Sequence, residues 1–216
     1  MPNCFNYPDI NNYGVQHATG EYLLLLNNDT EIIKGDCIEE MLGYCMREEV
    51  GIVGARLYYD DGTLQHGGVI VGLGGVAGHA FLGLPMGEPG YFARALLAQD
   101  LSAVTAACMM VKRSVYEDVG GFDPAFAVAF NDVDFCLKVR RAGYLVVYNP
   151  YAELIHYESK SRGYDDTAEK VNRFQSEIQL FQSRWKDFLK QGDPYYNPNL
   201  TLDRNDFSVN LTARQR

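Results

Sequence analysis

The stretch Glu21–Glu31, EYLLLLNNDTE, decides how the chain is read. Four consecutive leucines with no polar alternation have the pattern of a strand buried on both faces, as in a mostly parallel sheet of an α/β protein. The run stops at Asn27, Asn28 and Asp29, so polar side chains reach the carboxyl edge of that sheet, where open α/β folds hold their ligands. Downstream, Asp36 is placed to cap a helix whose Ile38, Met41, Leu42 and Cys45 fall on one face. Upstream, the segment before Gly20 reads as a loop, a short helix and a turn.

Further apolar runs repeat the alternation of strand and helix. VGIVGARLYY (50–59) and SAVTAACMMVKR (102–113) are predicted strands, QHGGVIVG (65–72) is a weaker one, and the glycine-rich and proline-rich 72–90 segment is expected to be a mobile excursion. Ser114 and Glu117 have capping-box spacing. In NDVDFCLKVRRAG (131–143), Asn131 is expected to cap a helix with acids in its first turn, bases in its last and Gly143 as its stop. YLVVYNP and AELIHYES (144–150 and 152–159) follow as two short strands. A long helix from about Asp166 then carries Phe174, Ile178, Phe181, Trp185 and Phe188 on one stripe. Residues 1–190 are expected to form the domain, with 191–216 as a wrapping extension.

A formal net charge of -9 opposes attraction to phosphate backbones, so nucleic acid is not an expected partner. The five cysteines form no CxxC pair and sit mostly in apolar stretches, as reduced core thiols do. With no leader-like segment and no apolar run long enough to span a bilayer, a cytoplasmic protein is expected, and any membrane association would be peripheral.

Three groups of residues carry candidate chemistry. A carboxylate at Asp29 suits Mg2+ or Mn2+ shared with a diphosphate, or simply caps a turn. Asp132, with Asn131 and Asp134 beside it at a helix start, suits a base that takes a proton from a sugar hydroxyl, or simply complements the helix dipole. His156 could bind the metal, with Lys160 and Arg162 on diphosphate oxygens, or be a hydrogen-bonded structural residue. His17, His66 and His79 lack such neighbours in sequence and read as structural. The GLGGVA stretch fits a loose dinucleotide-binding pattern, but no helix follows it, and it reads as a flexible loop.

Taken in order, NNYGVQHATGEYLLLLNNDTEI, SAVTAACMMVKRSVYEDVGGFDPAFAVAFNDVDFCLKVRRAGYLVVYNP and ELIHYESKSRG resemble the successive blocks of family 2 glycosyltransferases of the GT-A type, from about Asn11 to Arg162. The ending DPYYNPNLTLDRNDFS is similar to the tails of bacterial members that build surface polysaccharide and O-antigen. The resemblance implies a GT-A-like sheet flanked by helices that lacks the N-terminal nucleotide-binding strands. It implies transfer of a sugar, with inversion, from a nucleotide-sugar to a saccharide or lipid-linked saccharide. Asn27, Asn28, Asp29, Lys160 and Arg162 would hold the donor, and Asp29 and His156 a divalent metal (Mg2+ or Mn2+). Asp132 would be the catalytic base, with Asn131 and Asp134 on the acceptor side. Asn27 stands where the family commonly has Asp, and Asn131 where it has Glu.

The absent strands carry expectations of their own. The first strand should present an uncovered edge that favours self-association, or a tail folded back over the gap, and the chain alone should transfer poorly. A noncatalytic glycosyltransferase-like partner or inactive fragment is the rival reading, and a metal-dependent hydrolase using Asp29, Asp132 and His156 is a second.

Overall fold

The computed structural model describes residues 5–157 and 167–211. Helix α1 (Tyr7–His17) starts where the Asn6 side chain accepts the Asp9 N–H at 3.1 Å, with Pro8 in its first turn where no amide donor is needed. Strand β1 (Tyr22–Leu26) and the short β2 (Thr30–Ile32) flank the Asn27–Asp29 turn, and α2 (Cys37–Cys45) follows. Next come β3 (Val50–Tyr58), β4 (Leu64–His66), β5 (Val69–Val71) and β6 (Ala77–His79). The chain continues through β7 (Gln99–Leu101), β8 (Cys108–Lys112), α3 (Arg113–Asp118), α4 (Asn131–Arg141) and β9 (Leu145–His156), and ends with α5 (Ala168–Arg184) and α6 (Lys186–Gln191).

The main sheet has the order β1-β8-β3-β9-β2, with β4 added to β3 and β7 to β9. Among the described residues, only β3 and β9 pair in parallel; every other ladder in this sheet is antiparallel. The expectation of a mostly parallel sheet is corrected on this point, and the cause is local. Strands β1, β3 and β9 do run in one direction, but β8 enters between β1 and β3 in reverse. An apolar run reports burial on both faces and says nothing about the direction of the neighbour.

Burial on both faces is met most fully in β3, where all nine residues are buried. Alternate residues divide between two cores, as the period of a strand requires. Val53, Leu57, Met110 and Val147 pack with Cys37, Met41 and Cys45 of α2. Ile52, Val111, Val146 and Tyr148 pack with Val133, Phe135 and Val139 of α4 and with Phe181 of α5. Gly54 lets the 102–107 segment lie directly on β3: a Cβ there would meet Val104 Cβ at 2.5 Å. The four described cysteines are buried and unpaired, in accord with core thiols.

Several local expectations are revised. The 144–150 and 152–159 runs form one strand, β9, whose register against β3 shifts between Ala55 and Arg56, opposite Pro150. Helix α3 begins at Arg113 with no side-chain cap, so Ser114 lies inside it and the capping box does not form. Phe130, at φ 60, is the N-cap of α4, which makes Asn131 the first helical residue. Within 72–90, the β5–β6 hairpin is ordered around a 3-10 turn at Leu73–Gly75, and no dinucleotide-type helix follows GLGGVA.

Among the described residues, strand β1 pairs with β8 alone, in line with the uncovered edge expected from the resemblance. The described part of the segment after Gly192 packs elsewhere. Tyr196, Leu200 and Phe207 pack on Tyr58, Leu64, Ile70 and Phe81, and the Phe207 ring stacks on Phe81 at 4.4 Å and Tyr91 at 5.2 Å. Asp193 ties the segment down by accepting from Val71 N–H at 3.0 Å and the Ser102 hydroxyl at 2.6 Å. The tail packs instead on the aromatic and aliphatic surface at the end of β3 and around β4 and β5. Among the described residues, no helix is long and apolar enough to cross a membrane.

Candidate active site

A cleft of about 970 Å3 opens where β1 ends, and Asn27, Asn28, Asp29, Asn131, Asp132 and His156 all line it. Sequence reading places these residues at three distant points, and pairing of β2 with β9 joins two of them. Thr30 stands opposite His156, its hydroxyl closes the turn on Asn27 O at 2.8 Å, and Tyr157 N–H donates to Asp29 O at 2.8 Å. Asp29 Oδ1 thereby lies 3.2 Å from His156 Nε2, and Asn27 Nδ2 lies 3.3 Å from the same nitrogen.

Gln65, buried on β4, sets the state of that imidazole. Its amide N–H donates to the His156 carbonyl at 3.4 Å, which leaves its oxygen to accept from His156 Nδ1 at 2.7 Å. A neutral His156 then carries its lone pair on Nε2, facing the Asp29 carboxylate. Two acceptors this close are complementary to a cation between them. Among the described residues no cluster of three or more His, Cys, Asp or Glu side chains is arranged for a metal, so an ion here would have two protein ligands and draw the rest from a bound diphosphate and water. A half-turn of the Asn27 amide would add its carbonyl oxygen.

Asp132, in the first turn of α4, also lines the cleft. Its Oδ1 accepts from Val133 N–H at 2.8 Å and its Oδ2 from Ala106 N–H at 3.3 Å. These bonds fix the carboxylate while each oxygen keeps acceptor capacity toward the cleft. Tyr7 supports the same segment through a 2.9 Å bond to Ala106 O; burial first, and then the Asp132 charge, pushes its phenol well above the usual range.

Two sequence-predicted neighbours have other work. Asn131 is buried and donates to Val128 O at 2.8 Å and Phe126 O at 3.4 Å, so it holds the preceding loop. Asp134 does not belong to the acceptor side. It is fully buried, away from the cleft, and accepts from Trp185 Nε1 at 2.9 Å and Arg184 Nη1 at 3.0 Å. One helical residue beyond Val133 turns its side chain about 200° from Asp132, onto the core side facing α5. Lys160 and Arg162 lie outside the described residues.

Three residues that sequence reading passed over support the cleft. Gln65 acts on His156 as described. Glu177 of α5 is buried, and its two oxygens accept from Val128 N–H and Ala129 N–H, each at 3.0 Å, clamping the loop that leads into Asp132. His66 is fully buried against His79, which lines the cleft. The available signal was a polar pair, Gln65–His66, next to the apolar VIV run, since buried polar groups require partners.

The profile of the family described as "Glycosyltransferase like family 2" matches residues 9–176. Protein y4gI of Sinorhizobium fredii is 52% identical over 206 residues, covering 94% of this chain and 22% of the relative. The O-antigen biosynthesis protein RfbC of Myxococcus xanthus is 41% identical over 204 residues, covering 94% of this chain and 16% of the relative. The chain thus spans about a fifth of the length of these curated relatives. Among solved structures, a mannosyltransferase from Pyrobaculum calidifontis, in complex with GDP-Man and Mn2+, superposes with a TM-score of 0.56 at 19% identity, covering 87% of this chain and 46% of the other. That likeness extends to the fold, a GT-A arrangement, and the profile match over most of the chain carries the assignment: the chain belongs to glycosyltransferase family 2.

Proposed function

We propose that the chain forms the acceptor-side portion of an inverting glycosyltransferase that moves a sugar from a nucleotide-sugar to a saccharide or lipid-linked saccharide, in the synthesis of bacterial surface polysaccharide. The observation that carries this reading is the convergence of Asp29, His156 and Asp132 on one cleft. The name of the Myxococcus relative and the GDP-Man and Mn2+ bound to the Pyrobaculum enzyme support it.

Asp29 and His156 would hold a divalent cation, the pair being oriented by β2–β9 pairing and by Gln65. Such an ion would supply a clamp for the donor diphosphate and offset the charge that develops on it. Asp132 receives the proton of the acceptor hydroxyl as that oxygen attacks the anomeric carbon from the face opposite the diphosphate, so the configuration inverts. Its bonds from Val133 and Ala106 keep the carboxylate aimed during the transfer. Contacts to the nucleobase and ribose would come from a nucleotide-binding segment placed next to the β1 edge.

Asp132→Asn, in a protein that also supplies a nucleotide-binding segment, tests this assignment. Transfer should fall about 100-fold or more, the range for loss of a general base, with donor affinity little changed. Undiminished turnover would remove Asp132 from the mechanism.

A further inference from the structure

A ladder of aromatic rings leaves the core and ends at the cleft. Phe126 and Phe181 are fully buried, their rings meeting edge to face with centroids 6.3 Å apart. Phe181 packs in turn on Phe130 at 5.5 Å, and Phe130 stacks on Phe174 at 5.7 Å with 24° between the ring planes. Phe130 and Phe174 are each half-buried, and both line the cleft. Phe130 holds φ 60 and ψ 5, a left-handed conformation that an aromatic residue keeps only where its surroundings impose it. Helix α5 imposes it twice. Glu177 accepts from Val128 N–H and Ala129 N–H at 3.0 Å each, and Phe174, one turn earlier on that helix, lies against the Phe130 ring. The turn alone would be better served by glycine or asparagine. Packing on Phe181 accounts for the buried part of the Phe130 ring and leaves unexplained the part that lines the cleft.

Phe130 is the N-cap of α4 and Asp132 its second residue. Asn131 between them is helical, so the two α-carbons lie about 5.5 Å apart. A molecule that brings a hydroxyl to Asp132 in this cleft therefore has Phe130 as a neighbour. A pyranose has C–H groups on its faces and hydroxyls on its rim, so an aromatic ring complements the face while a carboxylate takes the rim. We propose that Phe130 and Phe174 form the platform on which the acceptor pyranose rests, with a C–H face on the rings and the attacking hydroxyl toward Asp132. The inference rests on the glycosyltransferase reading above. It gives the rings to the acceptor because they adjoin Asp132 at the start of α4, whereas the groups assigned to the donor, Asp29 and His156, belong to the turn after β1 and the end of β9. A ring face makes no directed hydrogen bond, so the platform selects sugars by the flatness of one face and rejects those with an axial hydroxyl there.

The test is an NMR titration of the chain with 13C in its phenylalanine rings, the signals of Phe130 and Phe174 being assigned from Phe130→Leu and Phe174→Leu. The probes are methyl β-D-galactopyranoside, methyl α-D-mannopyranoside, methyl α-L-rhamnopyranoside and methyl N-acetyl-β-D-glucosaminide, beside UDP and GDP with Mn2+ and geranyl phosphate as a lipid chain. At least one glycoside should shift both rings, leave the buried Phe122 and Phe135 unmoved, and show its own C–H protons displaced upfield by the ring current. Phe174→Ala should weaken that glycoside roughly threefold to tenfold, the scale of one aromatic contact. Phe174→Tyr keeps the ring face and should retain the affinity, whereas Phe174→Leu keeps apolar bulk without the face and should not; amide spectra check that each variant is folded. Glycoside shifts at the Ala106 and Val133 amides, which hold Asp132, with both rings silent would refute the platform and leave the functional reading standing. Ring shifts caused by UDP or GDP alone, or by geranyl phosphate and no glycoside, assign the rings to a nucleobase or a lipid chain and overturn the proposal. Equal glycoside affinity in wild type and Phe174→Ala does the same. Silence toward every glycoside at high millimolar concentration also overturns it, and the functional reading is then judged separately by the nucleotide-sugar titration with Mn2+.

Discussion

Replacing Glu177 by glutamine preserves the shape of the side chain and removes one of two acceptor oxygens. In the folded protein both oxygens are engaged, by Val128 N–H and Ala129 N–H at 3.0 Å each, in a site where Glu177 is 3% exposed. Glutamine keeps one of these bonds and turns an NH2 toward the other amide. A bond from a backbone amide to a charged acceptor contributes about 1.5–3 kcal/mol, and a buried donor left unpaired costs about 1–3 kcal/mol. Local relaxation recovers part of this, so the expected loss is about 2–3 kcal/mol. For a chain of this size that is a fall in Tm of roughly 5–10 °C. Urea unfolding followed by tryptophan fluorescence reads it directly, because Trp185 lies at the end of the same helix. The clamp also restrains Phe130, which holds φ 60 before Asp132 and packs its ring against Phe174. Glutamine should therefore raise the hydrogen-exchange rates of residues 126–132 more than those of β3. Stability within about 0.5 kcal/mol of wild type, the range of a neutral surface change, would refute the clamp.

Two further outcomes follow from the packing and charge. Gly54→Ala should destabilise by about 1–3 kcal/mol, because the added Cβ meets Val104 at 2.5 Å and the buried strand cannot move aside; an unchanged urea midpoint would contradict that close approach. Burial pushes the Glu153 carboxyl up, but Lys34 at 2.5 Å and Arg56 at 3.0 Å outweigh it and hold the folded pKa below the ordinary 4.5. The unfolded chain then takes up this proton first, so the stabilisation is complete above about pH 4.5 and is lost as pH falls through the lower folded value. Glu153→Gln should flatten that acid limb, as pH-dependent urea titrations would show, and an unchanged limb would exclude Glu153 as its source.

What could be read from the sequence was what depends on short-range pattern. EYLLLL identified a buried strand, NNDTE a polar strand end, and NDVDFCLKVRRAG a helix with its charges arranged along the dipole. These three also delivered Asp29 and Asp132 to one cleft. The relations that escaped are those set by chain reversal or by a single turn of helix. Apolar content could not show that β8 runs against β1 and β3, nor that Pro150 sits at a register shift within one long β9. Asp132 and Asp134 look alike in sequence, yet two residues on a helix are about 200° apart, and only one of them faces the cleft. The partners of Gln65, His66 and Glu177 could not be read from the sequence, because pairing with His156, with His79 and Thr105, and with Val128 and Ala129 is set by the fold.

The central claim is that the end of β1 and His156 form a metal-assisted donor site facing Asp132. Calorimetric titration of the chain with GDP-mannose, UDP-glucose and dTDP-rhamnose, with and without Mn2+, tests it most directly. The account predicts weak binding that requires Mn2+ and discriminates little among the bases. That binding should be lost in Asp29→Ala and retained in Asp132→Asn. Binding that is indifferent to Mn2+ and to Asp29, or no binding of any nucleotide-sugar at millimolar concentration, would contradict it.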